Sequence, residues 1–153
     1  MPRFNIINYD NIFEFHQKYI DQYINLLSQL TSCPKETSDN IEFQKHLDYI
    51  KYNPYYRLYF VHDNENDDLV GCGTLLIEHK VIHNMGIVGH IEDIVINSNY
   101  RKYSLGKMLI DHIKNECKEL NCYKIILDCS DNVIGFYEKC GFTKKGNQMA
   151  LYY

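Results

Sequence analysis

The chain has 153 residues, 45% of them hydrophobic, with 16 basic against 20 acidic side chains and a formal charge of −4. That is enough apolar material for one domain with a real core, and the acidic balance argues against a broad nucleic-acid surface. No apolar run approaches the ~20 residues that cross a bilayer, and the N-terminus MPRFNIINYD lacks a signal-peptide apolar segment, so the expectation is a cytoplasmic protein without a membrane partner.

Arg3 to Asn8 alternates weakly and suits a first strand. Phe13 to Leu30 places Phe13, Tyr19, Ile20, Tyr23, Ile24, Leu27 and Leu30 at spacings of three and four, which predicts an amphipathic helix. TSCPKETSDN reads as a loop, with Ser38 or Asp39 capping a second helix that runs to about Tyr52 and stops at Asn53-Pro54. Tyr55 to His62 and Leu69 to His79 form a predicted hairpin around the acidic turn DNENDD, with Gly71 and Gly73 suggesting a bulge or close packing in the second arm. His83 to Gly89 is expected to be a loop, and Gly89 to Ile96 a strand carrying Glu92 and Asp93. Ser104 to Leu120 is the strongest predicted helix, with Leu105, Met108, Leu109, Ile113, Cys117 and Leu120 on one side. Tyr123 to Asp128 is almost wholly apolar and reads as a central strand. Asn132 to Lys139 is a short predicted helix, and Phe142 to Tyr153 a final strand or pair.

This order predicts a mixed sheet flanked by helices, an α/β or α+β domain. The Ser104 helix crosses between the Gly89 and Tyr123 strands, which makes them parallel neighbours with a right-handed connection. A gap at their C-terminal ends would admit a ligand. In GHIEDIVINSNYRKYSLGK a strand leads through a polar turn into a helix start, where unpaired N–H groups hold a pyrophosphate, and Arg101, Lys102 and Lys107 surround that point. A nucleotide-like cofactor is expected there. The six cysteines (Cys33, Cys72, Cys117, Cys122, Cys129 and Cys140) form no CxxC pair, so no metal is expected and they read as small core residues.

GHIEDIVIN, SNYRKYSLGK, LGKMLID, NCYKIILDC and FYEKCGF, in this order and spacing, resemble the GNAT superfamily of acetyl-CoA-dependent N-acetyltransferases, and within it the glucosamine 6-phosphate N-acetyltransferases. The resemblance is dense from about Lys80 to Phe142. It implies a mixed, mostly antiparallel sheet with a splayed parallel strand pair. It also implies acetyl transfer to the amine of D-glucosamine 6-phosphate by direct attack in a ternary complex, a step toward UDP-N-acetylglucosamine, and a homodimer whose C-terminal strand contributes to the partner's site. It places the acetyl and pantetheine of acetyl-CoA against Ile94, Val95 and Ile96, and the pyrophosphate on Lys102, Tyr103, Ser104, Leu105, Gly106 and Lys107. Amino sugar phosphate contacts fall on Thr31, Lys80, Val81, Ile82, His83, Glu92, Asp93, Ile94, Tyr123 and Lys124. Asp128 matches an acid beside the amine, and Tyr137 the tyrosine facing the departing sulfur.

Those residue types fit the chemistry. Attack on a thioester needs a neutral amine, so Asp128, Glu92 or Asp93 would relay its proton, a strand N–H near Ile94 would meet the oxyanion, and the Tyr137 phenol would protonate the thiolate. Lys80, His83 and Lys124 supply cations for a sugar phosphate. Other readings of the same residues stay open. Glu92 and Asp93 also suit a bulged strand, Asp128 also suits a cap for the Asn132 helix, and His83 and His90 suit structural hydrogen bonding. The chain departs from the family pattern where Ser104 replaces a turn glycine, where Tyr152 stands near a phosphate-binding arginine, and where Asn132 precedes the usual asparagine position by one residue. The first two keep open an acetyltransferase for another small amine and a non-catalytic acyl-CoA-binding module.

Overall fold

The computed structural model describes residues 2–9, 17–33 and 41–153. Five strands, β1 (Phe4–Asn8), β2 (Tyr56–Asp63), β3 (Asp68–His79), β4 (Ile87–Ile96) and β5 (Cys122–Leu127), lie in the order β1-β2-β3-β4-β5. All neighbours are antiparallel except β4 and β5, which are parallel. The helices are α1 (Gln17–Leu27), α2 (Ile41–Tyr52), α3 (Leu105–Glu119) and α4 (Ile134–Lys139).

The sheet separates two apolar clusters. On one face α3 buries Leu105, Leu109, Ile110, Ile113 and Cys117 against Tyr59, Leu75, Ile77 and Ile91. On the other, Tyr23 and Leu26 of α1 and Leu47 of α2 pack with Leu58, Phe60, Cys72 and Val95. Complete burial of a Leu or Ile contributes ~2 kcal/mol each, which fixes both helix faces. α2 stops at Tyr52, before the expected Asn53-Pro54 break.

The predicted hairpin forms: β2 and β3 pair from Asp63↔Asp68 outward. Gly73 meets an irregularity in β4. Cys72 pairs with Val95 and Thr74 with Glu92, so Asp93 and Ile94 face the single residue Gly73. Asp93 takes a φ of 53°, the left-handed conformation in which an extra strand residue is often accommodated. The extra residue reverses the faces: Ile91 points to the α3 side before the bulge, whereas Ile94 and Ile96 point there after it and Val95 turns to the α1 side.

Three expectations need correction. β4 begins at Ile87, so only the segment before it is a turn, in which His83, Asn84 and Met85 all have positive φ. β5 is an edge strand rather than a central one, and its outer side has no strand partner among the described residues. Residues 143–153 form no strand; Met149, Leu151, Tyr152 and Tyr153 are fully or largely exposed. A strand requires a neighbour for its N–H and C=O groups, and this tail pairs with no strand among the described residues. The first helix is described only from Gln17, so Phe13, like the proposed caps Ser38 and Asp39, lies outside the described residues.

Candidate active site

The parallel pairing of β4 with β5 ends at Ile91↔Leu127. β4 continues to Ile96 while β5 stops at Leu127, and the strands part into a cleft of ≈ 1090 Å³. The wall on one side is Glu92–Ile96, and on the other Asp128, Cys129 and Ser130, with Phe136 and Tyr137 of α4 behind them. Gln29, Leu30 and Thr31, just beyond α1, close one side, and Arg101, Ser104, Gly106 and Lys107 lie where α3 begins.

The residues expected to act on substrate therefore divide. Thr31, Glu92, Asp93, Ile94, Val95, Ile96, Ser104, Gly106, Lys107, Asp128 and Tyr137 share the cleft. Lys102 and Tyr103 do not line it; Tyr103 packs its ring 5.2 Å from Phe4, and Leu105 is a core residue. Lys80, Val81, Ile82, His83, Tyr123 and Lys124 also lie elsewhere, at the opposite end of the β4–β5 pair, where the His83 and Tyr123 rings are 4.6 Å apart.

Arg101, expected beside the pyrophosphate point, lines the cleft, and several lining residues were not singled out as site residues from the sequence: Gln29, Leu30, Cys129, Ser130, Asn132, Val133, Phe136, Lys139 and Cys140. Phe136 and Cys140 carried a usable signal in FYEKCGF. Gln29 did not, because its place depends on where α1 ends in space; its Oε1 accepts the Ser98 N–H at 3.2 Å and ties that end to the turn before α3.

That turn is a short 3₁₀ segment, Ser98–Tyr103, started by Asn97, whose Oδ1 accepts the Asn99 N–H at 3.0 Å. It ends on Ser104 in the left-handed conformation, φ 58°, ψ 23°. Ser104 thus adopts the backbone a glycine would take freely. Its side chain makes no cap bond among the described residues. The first amides of α3, Gly106 among them, are left to meet an anion. Lys107 is ion-paired with Asp111 one turn along, and Arg101 is exposed at the rim. A helix start with open amides, no side-chain cap and an adjacent guanidinium fits a pyrophosphate.

The acids of the cleft influence one another. Glu92 is held above the ordinary carboxyl value by desolvation and by the neighbouring Asp93 and Asp128, with His90 acting against them. Tyr137 is half-buried between Phe136 and Phe142, whose ring centroids lie 5.0 and 6.1 Å from its own. Burial first, then Cys129, Cys140 and Glu92, pushes its phenol up, so it stays protonated at neutral pH. Asp128 does not cap the following helical turn, which begins on Ser130; the Ser130 hydroxyl bonds the Asn132 side chain. Its carboxylate stands in the cleft instead.

A bulged strand parting from a parallel neighbour beside an anion-binding helix start is the arrangement of an acyl-CoA-dependent N-acyltransferase. Residues 20–142 match the family model for the acetyltransferase (GNAT) family, to which the chain belongs. Its similar proteins include a glucosamine 6-phosphate N-acetyltransferase 1 of Dictyostelium discoideum, 43% identical over 130 residues, 85% of this chain and 82% of the relative. The glucosamine 6-phosphate N-acetyltransferase of Arabidopsis thaliana is 36% identical over 86% of this chain and 87% of its own. A crystal structure of that enzyme from Arabidopsis thaliana superposes with a TM-score of 0.85 at 33% identity, covering 98% of both chains. The expected fold class, a mixed sheet with a splayed parallel pair, is the one observed.

Proposed function

We propose that this single-domain chain transfers acetyl from acetyl-CoA to the 2-amino group of D-glucosamine 6-phosphate, by direct attack in a ternary complex. The observation that carries this reading is the cleft, in which Glu92, Asp128 and Tyr137 converge beside a bulge and an open helix start. The printed activity of the similar Dictyostelium and Arabidopsis proteins supports the choice of acceptor.

In this reading acetyl-CoA lies along Ile94, Val95 and Ile96 with its pyrophosphate on the first amides of α3, and supplies the activated acyl group. Glu92 and Asp128 draw a proton from the acceptor ammonium so that its lone pair is free, with Asp93 beside them. The bulge sets the two residues Asp93 and Ile94 against the single Gly73 on β3, which leaves a backbone N–H to meet the oxygen that becomes negative during attack. Tyr137 gives its phenolic proton to the leaving sulfur. Positioning of two bound reactants supplies most of the remaining acceleration.

Of the cations that line the cleft, Arg101 and Lys107 lie at the pyrophosphate end, and the sugar phosphate then needs further ones. Lys80, His83 and Lys124 stand at the other end of β4–β5, beside exposed Val81, Ile82, Met85 and Tyr123. We read this surface, the open edge of β5 and the apolar tail Met149–Tyr153 as the contact with a second copy, so that a homodimer completes the phosphate site. The six cysteines are all unpaired, which suits a cytoplasmic protein.

Release of CoA thiol, followed with glucosamine 6-phosphate and with unphosphorylated glucosamine, tests the reading. Turnover is expected with the phosphorylated sugar, and roughly tenfold or more weaker kcat/KM with glucosamine, the loss of one charge-assisted contact. No turnover with either, in protein that binds acetyl-CoA, would overturn it in favour of another amine or a non-catalytic binding module.

A further inference from the structure

When an ammonium nitrogen becomes an amide it sheds two protons. One ends on the sulfur of CoA through Tyr137, and the other must leave the cleft before Glu92 can act again. The face of the sheet that carries Glu92 provides a route. His90 and Glu92 are two residues apart on β4, ahead of the bulge, so their side chains leave the same face about 7 Å apart along the strand. His90 Nε2 lies 2.7 Å from Glu78 Oε2 on β3. Glu78 is in turn ion-paired with Lys80 at the strand end, with 38% of its side chain exposed to solvent. A carboxylate only accepts, so Nε2 carries the hydrogen and Nδ1 is the nitrogen left to take another proton.

We propose that His90, oriented by Glu78, is a positioning residue for acetyl transfer, taking the second proton from Glu92 at Nδ1 and releasing it from Nδ1 to water while Nε2–H stays bonded to Glu78. No proton is created or lost: each turnover returns Glu92, His90 and Glu78 to their starting forms and delivers one proton to solvent. This rests on the reading that Glu92 receives the acceptor's proton. The groups that set the charge around His90 and Glu92 are Glu78, paired with Lys80, from β3, Asp93 on β4, Asp128 just beyond β5 and Tyr137 from α4. Thr31 and Gln29 beyond α1 are uncharged. Among the cited influences on Glu92, His90 is the one that favours its ionised form, against desolvation, Asp93 and Asp128.

The test is the pH profile of kcat, at saturating acetyl-CoA and glucosamine 6-phosphate, for wild type, His90→Gln and Glu78→Gln. Removing His90 removes the group that favours ionised Glu92, and removing Glu78 removes the acceptor that holds the His90 ring in place. Both variants are therefore expected to move the acid limb upward, an activity loss on that limb that narrows as pH rises. KM for acetyl-CoA is expected to stay put. The His90 and Glu78 side chains are 24% and 38% exposed, so melting curves should match wild type. An active wild type whose profile neither substitution displaces, or a loss uniform across pH, overturns the inference alone. An inactive wild type overturns it together with the functional reading.

Discussion

Ile94 Cδ1 occupies the space that a Cβ on Gly73 would need. The two residues face each other across β3 and β4 at the bulge, where the inserted residue turns Ile94 back toward α3. Gly73 thus permits the backbone distortion that opens the cleft. Gly73→Ala is expected to push Ile94 out of place, costing about 1–3 kcal/mol of stability as an overpacked core site does. kcat should fall more than that loss explains, because the bulge amides move with Ile94. Urea unfolding alongside steady-state kinetics separates the two effects.

Tyr137 is held by ring packing as well as by its proposed role. Tyr137→Phe keeps the contacts with Phe136 and Phe142 and removes only the hydroxyl. We expect kcat to fall roughly 10- to 1000-fold, with the Kd for acetyl-CoA nearly unchanged. Single-turnover kinetics with a calorimetric Kd measures both, and an unaltered kcat would remove Tyr137 from the mechanism.

Ser104 is a non-glycine residue with φ 58° at the head of α3. Left-handed backbone costs an L-residue about 1–2 kcal/mol. Ser104→Gly should therefore raise the melting temperature by a few degrees, and Ser104→Val, with its branched Cβ, should lower it. Differential scanning calorimetry of the two variants is the check; a shift of the same sign in both would contradict the backbone account.

Acid stability should depend on Asp63, which is fully buried. Burial disfavours its charge, but Arg3 (Nε 3.2 Å and Nη2 3.0 Å), the Glu65 N–H (3.1 Å) and the Asn66 amide (2.9 Å) outweigh it and hold its pKa below the usual carboxyl value. A depressed folded-state pKa gives stability that is present above the unfolded value, about 4, and is lost as pH falls through the folded one. Urea midpoints should thus decline below about pH 4, and Asp63→Asn should flatten that decline while lowering the midpoint at pH 7.

Much of this architecture was legible along the chain because it rests on local rules. The three-and-four spacing of Leu105, Leu109, Ile113 and Cys117 reads as a buried helix face before any neighbour is known, and it is buried. The acidic turn between β2 and β3 and the crossover from β4 to β5 follow from turn chemistry and handedness in the same way. Tyr123 to Asp128 misled because an apolar run signals burial without saying which molecule covers it. Among the described residues its outer edge has no strand partner, and the tail expected to form a final strand or pair forms none.

The sequence by itself determined the element order, the parallel strand pair, and the presence of Glu92, Asp93, Asp128 and Tyr137 in segments that meet. Tertiary structure alone decided which of the candidates share one cleft. It set Lys80 to His83 apart from Glu92, placed Gln29 against the turn before α3, and gave Ser104 a glycine's conformation. The reason is physical. Period and turn chemistry act over a few residues, whereas a cleft is where two strands stop pairing, and that point is fixed by a bulge whose partner, Gly73, lies twenty residues earlier in the chain.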